Sequence, residues 1–215
     1  MDKPVLELRR VDDVSIPHDL LGVLGKPASQ RALRFAKPVD RSGFVAGRVA
    51  LQHFAASLLD VAPSRLMPDY SCPQCGPGQD HGRPGFLLDG GPSPLALSAS
   101  RASGWVLLAG VVHPLAGLRL GVDLEAADRA SFDGFDDVAL TAKEKQQLLS
   151  LPASERDATR IRLWARKEAW LKMTGEGLRR NPAELDVLDR PGVRDVNSTS
   201  GGALPDGLVA ALALG

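Results

Sequence analysis

Cysteine and tyrosine are scarce in this chain, at two and one among 215 residues. Two thiols cannot build a disulfide framework, and they suit a reducing compartment. An excess of either charge is also missing. Lys and Arg number 26 against 26 Asp and Glu, which argues against a dedicated nucleic-acid binder or a basic membrane-surface protein. No apolar run is long: the stretch from Trp105 to Val112 falls far short of the roughly 20 residues a membrane span needs. The opening MDKPVLELRR lacks the apolar core of a secretory signal. The expectation is a soluble, cytoplasmic protein with neither a membrane nor a nucleic acid as partner. What is present is ordinary globular material, 44% hydrophobic and 24% charged, enough for a core in one large domain or two small ones.

Along the chain, Val5 to Val11 begins with the alternation of a short strand. Asp40 opens a helical pattern carried by Phe44, Val45, Val49, Ala55, Leu58 and Leu59. Residues 68–94 hold so much Pro and Gly that an irregular segment is predicted, of a length that is usually functional. Leu95 to Leu97, Trp105 to Val112 and Arg119 to Glu125 read as three strands. Thr141 and Glu144 form a T-x-x-E capping box for a short helix. A longer helix is predicted from about Ser154 to Thr174, stopped by Gly175, and LVAALAL near the end reads as a last strand. A shift of 119 residues places Leu66 on Leu185, Pro63 on Pro182 and Arg48 on Lys167. If this echo is a duplication, the chain holds two similar α+β halves with a cleft between them.

Two segments carry chemistry. In GVDLE, Gly121 to Glu125, strand alternation puts Asp123 and Glu125 on one face and Val122 and Leu124 on the other. Two carboxylates so placed either face solvent or share a cation, and Mg²⁺ prefers such a pair together with substrate phosphates. In WARKEAWLK, Trp164 to Lys172, Glu168 follows Ile161 by seven residues and Trp164 by four, on the apolar stripe. It is either one half of an ordinary i, i+4 pair with Lys172 or a buried carboxylate that needs a partner.

Together these segments resemble the 4′-phosphopantetheinyl transferases of the larger, pseudo-dimeric type. The family pattern is a G-[VI]-D-[VIL]-E strand followed by W-x-x-K-E-[AS]-x-x-K-x-x-G-x-G-L. The second part stands here as Trp164, Lys167, Glu168, Ala169, Lys172, Gly175, Gly177 and Leu178. HGRP, His81 to Pro84, resembles the family's G-[KR]-P, and LTAKE, ending at Glu144, its F-[ST]-x-x-E. LSAS, Leu97 to Ser100, stands in place of S-H-S, with Ala99 where the family has histidine. Arg31, Arg34, Arg41 and Arg48 lie where the family has its early basic residues.

The resemblance implies an α+β fold of two similar halves, 1–110 with the nucleotide contacts and 111–215 with the metal-binding and catalytic motifs, and a site in the cleft. It implies transfer of the 4′-phosphopantetheine arm of coenzyme A to a serine of an apo acyl or peptidyl carrier protein, with release of 3′,5′-ADP. Such carriers serve fatty acid, polyketide or nonribosomal peptide synthesis. Asp123, Glu125 and Glu168 would hold Mg²⁺, with Mn²⁺ as an alternative ion. Glu168, Lys172 and Lys167 would act in catalysis. Arg31, Arg83 and Ser98, with Arg41, Arg48, Lys167 and Lys172, would bind the coenzyme. Loss of the histidine at Ala99 implies weaker coenzyme binding unless Arg101 or another base compensates. A fused pair of halves is expected to work as a monomer. The other reading is a non-catalytic protein on this scaffold that binds a carrier protein or coenzyme A.

The zero charge balance then resolves into blocks. Residues 31–48 hold five basic and one acidic residue, residues 121–144 two and seven, and residues 155–180 eight and four. Basic blocks suit a polyanionic coenzyme and the acidic block suits a metal against it.

Other signals are weaker. Cys72-Pro-Gln-Cys75 with His81 has zinc-ligand spacing, but there is no second C-x-x-C, and Asp80 or a distant histidine would have to complete a closed site. A thioredoxin-like role lacks the surrounding βα pattern. Ser98 and Ser100 with His113 lack a nucleophile elbow.

Overall fold

A computed structural model describes residues 3–128 and 133–215. The acidic block 121–144 therefore includes four residues, 129–132, that lie outside the described residues. In chain order the elements are β1 (Val5–Arg10), α1 (Leu20–Ala32), α2 (Pro38–Leu59), β2 (Leu66–Pro68), β3 (Ser71–Cys72), β4 (Gly76–Pro77), β5 (Phe86–Leu88), β6 (Gly91–Pro92), β7 (Leu95–Ala102), β8 (Trp105–Val112) and β9 (Leu120–Ala126). There follow α3 (Phe135–Ala139), α4 (Ala142–Ser150), α5 (Ala153–Thr174), β10 (Val193–Asp195), β11 (Ser198–Thr199), β12 (Gly202–Ala203) and β13 (Leu208–Leu214). The fold is α+β.

Two antiparallel three-stranded sheets form the centre, in the orders β1-β8-β7 and β10-β13-β9. Apolar alternation decides how they stack. Strand β8 is buried on both faces, so it reads as a continuous Val/Leu run. Val106 and Leu108 pack with Leu51 and Phe54 of α2, whereas Leu107, Ala109 and Val111 pack with Val122, Leu124 and Leu212 of the second sheet. The outer face of that sheet, through Ala211 and Ala213, packs against Ala165, Ala169 and Met173 of α5. Small residues dominate this last contact and let helix and sheet approach closely. Gly121 marks the limit: a Cβ there would stand 2.0 Å from the Ala169 carbonyl oxygen and 2.5 Å from the Met173 nitrogen.

The connectivity repeats. In each sheet the first strand pairs with the last and the last with the middle one, and a 22-residue helix follows the first strand. The register of this repeat corrects the 119-residue shift. Strand starts Val5 and Leu120, and helix starts Pro38 and Ala153, are each separated by 115 positions. Both helices end on a left-handed residue, Asp60 and Gly175, again 115 apart. Only beyond the helices, at the Pro63–Arg65 and Pro182–Glu184 turns, does the separation become 119.

Lys167 therefore corresponds to Gln52, not to Arg48. The two do the same work. Gln52 Nε2 donates to the Leu66 carbonyl at 2.8 Å, and Lys167 Nζ donates to the carbonyls of Leu185 and, at 2.8 Å, Pro182. Each side chain hooks the turn after its helix back onto the helix. Because lysine brings a charge, the second half also needs an anion. Glu144 supplies it at 2.7 Å, and both side chains are 0% exposed. Glu144 is fully used, since it also accepts from the backbone N–H of Thr141 at 2.8 Å in the capping box and of Val187 at 3.0 Å. Burial lowers the Lys167 pKa, and the Glu144 carboxylate opposes that shift.

Elsewhere the helices and principal strands lie within a few residues of their predicted spans, except that β7 runs on from Leu97 to Ala102. Two differences stand out. Residues 68–94 are not wholly irregular, because β2, β5 and β6 form one small sheet and β3 and β4 another. Helix α1 had no expectation: Gly25, with φ 71°, and Pro27 interrupt it and disguise its pattern.

Removing one member of the buried Lys167–Glu144 pair strands the other charge, at a typical cost of about 3–5 kcal/mol. Urea unfolding of Lys167→Met is expected to show a loss of that size. Lys167→Gln combined with Glu144→Gln, which restores the neutral hook of the first half, is expected to lose less than half as much.

Candidate active site

The two sheets meet along β7 and β9, and serine side chains join them. Ser98 Oγ, 4% exposed in all, accepts the Val122 N–H at 3.0 Å. Two residues on, and so on the same side of the strand, Ser100 Oγ donates to Asp123 Oδ1 at 2.8 Å. Lys172 from α5 completes the junction, donating to Asp123 Oδ1 at 2.6 Å and to Ser100 Oγ at 2.9 Å. Glu168 stands one helical turn before Lys172. Its pKa is raised, chiefly by burial and then by the neighbouring charge of Asp123, with Lys172 opposing and Glu125 adding to the rise.

Asp123 and Glu125 thus face α5 rather than solvent. Asp123 is 3% exposed, and its Oδ2 is buried with no hydrogen-bond partner. A buried acceptor left without a partner costs free energy unless something meets it. The surrounding donors are hard oxygens, and two further carboxylates raise the local negative charge. Such a set fits a divalent cation of the Mg²⁺ class. Glu125 stands apart from the main cavity. Its Oε1 accepts from Trp164 Nε1 at 3.0 Å, and it lines a neighbouring cavity of about 330 Å³ with Trp164 and Pro182.

Beside Glu168 and Lys172 opens a cavity of about 580 Å³. Five arginines line it: Arg31, Arg48, Arg83, Arg101 and Arg179. Arg48 lies 3.6 Å above the Tyr70 ring and donates to the Asp80 carbonyl at 2.6 Å. Arg31 donates to the same carbonyl at 3.3 Å, and Arg34 pairs with the Asp80 carboxylate at 3.2 Å. One of the two terminal nitrogens of Arg48 is buried without a partner. Arg83 donates to the carbonyls of Met173 at 3.1 Å and Thr174 at 3.0 Å, so it also fastens its loop to the C-terminal end of α5. Arg101 lies along α2 where Gly43 and Gly47 leave room; a Cβ on Gly47 would stand 2.7 Å from Arg101 Cδ. Burial, then repulsion from Arg48 and Arg31, lowers its pKa.

The expected site residues divide accordingly. Glu168, Lys172, Arg31, Arg48, Arg83 and Ser98 line one cavity, and Asp123 joins them through Lys172. Arg41 is exposed and outside it. Lys167 is the clear departure: it belongs to the fold, as described above, and does not line the cavity. Ser100 is an addition, for which the alternation Ser98, Ser100 was the available sign. Arg101, weighed as a substitute for the histidine missing at Ala99, does line the cavity, in room supplied by glycines on a distant helix.

Cys72, Cys75 and His81 come together on the cavity's rim, with one ligand atom from each within 4.8 Å of the others. Hydrogen bonds from the backbone N–H groups of Gln74 and then Cys75 lower the Cys72 pKa to about 7.

Arginines and a carboxylate cluster on one cavity are suited to an anionic ligand held beside a cation. Residues 119–206, which include both chemical segments, match the family model of the 4′-phosphopantetheinyl transferase superfamily. The chain is 29% identical over 172 residues to 4′-phosphopantetheinyl transferase HetI of Nostoc, an overlap of 80% of this chain and 66% of that protein. It is 29% identical over 162 residues to the putative 4′-phosphopantetheinyl transferase slr0495 of Synechocystis, covering 73% and 58%. By these matches the chain is similar to the 4′-phosphopantetheinyl transferase superfamily. It spans less than two thirds of the length of each of these relatives.

The spacing of β9 and α5 sets this geometry. Gly121→Ala is expected to lower the urea midpoint by the equivalent of about 1–3 kcal/mol, the usual cost of overpacking, since the atoms in the way are backbone. A midpoint equal to that of the unaltered chain would contradict the close packing.

Proposed function

We propose that this chain transfers the 4′-phosphopantetheine arm of coenzyme A to a serine of an apo acyl or peptidyl carrier protein and releases 3′,5′-ADP. One observation carries this reading: the Lys172–Asp123–Ser100 junction, with Glu168, lies at the edge of an arginine-lined cavity. We assign the coenzyme phosphates to Arg31, Arg48, Arg83 and Arg101, with Ser98 at the floor. The two-half reading, 1–110 with nucleotide contacts and 111–215 with the catalytic motifs, and the larger family type draw support from the repeated strand order. Among the described residues no helix is long and apolar enough to cross a membrane. The proposed setting is the cytoplasm, with the protein acting as a monomer and without nucleic acid.

In the proposed reaction the carrier serine oxygen bonds to the β-phosphorus of the coenzyme diphosphate. The bond from that phosphorus to the bridging oxygen breaks, and 3′,5′-ADP carries away the electron pair. Glu168 takes the serine proton; its raised pKa improves it as a base. Lys172 stands ready to balance the charge that develops on the departing oxygen. Asp123, through its unpartnered Oδ2, with Glu168 and Glu125, would hold Mg²⁺ or Mn²⁺. That ion, when bound, offsets negative charge on the diphosphate. Trp164 fixes the orientation of Glu125.

Incubation of an apo carrier protein with the chain, coenzyme A and Mg²⁺ is expected to add one phosphopantetheine mass to the carrier. Glu168→Gln is expected to reduce the rate by at least a hundredfold, and chelation of the metal to stop it. Coenzyme binding by calorimetry without any mass gain, across several carriers, would favour the non-catalytic reading instead.

Arg101 shares a strand face with Ala99 and lines the same cavity, so it is suited to replace the donor missing at Ala99. A charge-assisted hydrogen bond is typically worth about 1.5–3 kcal/mol. Arg101→Ala is therefore expected to raise the KM for coenzyme A about tenfold or more with little change in kcat. Ala99→His in that background is expected to recover most of the loss. An unaltered KM in Arg101→Ala would remove Arg101 from the coenzyme site.

A further inference from the structure

We propose that Cys72, Cys75 and His81 form a binding site for a borderline-soft divalent cation, zinc by its ligand set, and that this metal pins the loop over the cavity. It is separate from the carboxylate site and does not depend on the transfer reaction.

Three features of the loop are those of a thiolate metal site. First, the ligands converge: their ligand atoms lie within 4.8 Å of one another. Tetrahedral zinc, with bonds of about 2.3 Å to sulfur and about 2.0 Å to nitrogen, holds such atoms about 3.5–3.8 Å apart. A contraction of about 1 Å suffices. Second, one tight turn carries both cysteines: strands β3 and β4 pair Cys72 with Gly76, and Gly76 takes φ 84°. Third, the histidine is already oriented. His81 Nδ1 meets Asp80 Oδ1 at 2.8 Å, which leaves Nε2 for the metal, in the carboxylate–histidine–metal arrangement. With Asp80 engaged in this way, the fourth tetrahedral position falls to water.

The position gives the metal a purpose. Asp80, next to the ligand His81, receives Arg31 and Arg48 on its carbonyl and Arg34 on its carboxylate. Gly82 is wedged against Ser71, with no space for a Cβ, and Arg83 reaches α5. A metal closing Cys72, Cys75 and His81 would fix this short stretch and, through it, the directions of two cavity arginines.

The test uses the full chain, reduced and loaded with Zn²⁺, then passed through gel filtration against a weak chelator. Elemental analysis is expected to find about one zinc per chain. Co²⁺ in place of zinc is expected to give a thiolate charge-transfer band and the visible bands of a tetrahedral site. Cys75→Ser, at an exposed position, and His81→Asn are each expected to weaken zinc binding more than tenfold. Stripping zinc is expected to increase amide exchange in residues 70–83 above that of the loaded protein. Less than a tenth of an equivalent of zinc in the unaltered chain, together with no cobalt–thiolate band, would overturn the proposal. So would full zinc retention in a folded Cys72→Ser, Cys75→Ser double variant.

Discussion

The close passage of β9 beneath α5 is the constraint on which the candidate site rests. With glycine at 121 the strand lies directly against the backbone at Ala169 and Met173. At that separation Lys172, whose side chain is long, reaches Asp123 on the strand and Ser100 on the neighbouring sheet at the same time. A bulkier contact layer would move Glu168 and Lys172 away from Asp123 together, because both sit on one rigid helix. The alanines at 165, 169, 211 and 213 thus help to set the geometry of the candidate site, although none carries a reactive group.

Charge of both signs is arranged around that junction. Acidic groups lie where β9 meets α5, and arginines from α1, α2, β7 and the 69–85 loop line the same cavity. The arginines are held by backbone carbonyls and aromatic faces more than by carboxylate partners, and the Asp80 carbonyl gathers both Arg31 and Arg48. They remain available to an anionic ligand. A chain with no net charge therefore gathers charges of both signs around one cleft.

The sequence carried much of this. Strand alternation separated Asp123 from Val122, and helical spacing put Glu168 on the buried stripe. Both inferences need only the residue's own element. The misreadings share the opposite character. Lys167 looked like a member of the phosphate-binding set because it neighbours Glu168 in the motif, yet adjacent helical residues point about 100° apart. Its true partners, Glu144 and the carbonyls at 182 and 185, are remote in sequence. Arg101 was named only as a stand-in for the histidine missing at Ala99, and the room it occupies comes from glycines at 43 and 47, which are also remote. The α1 helix was hidden by Gly25 and Pro27, which do break it locally but do not stop the chain from resuming its helical course.

The hook on the turn after each long helix has one more implication. In the first half an amide holds the turn and requires nothing else; in the second an ammonium does so and is compatible with burial only because Glu144 faces it. That carboxylate arrives on α4, where the 115-residue register places the part of α1 beyond Gly25 and, opposite Glu144 itself, the neutral Ser29. Lys167 and Glu144 are consequently a single unit within two otherwise matching halves. A chain that lost the carboxylate would be left with a naked cation in its core, and the simplest repair would be glutamine at 167, the solution the first half uses.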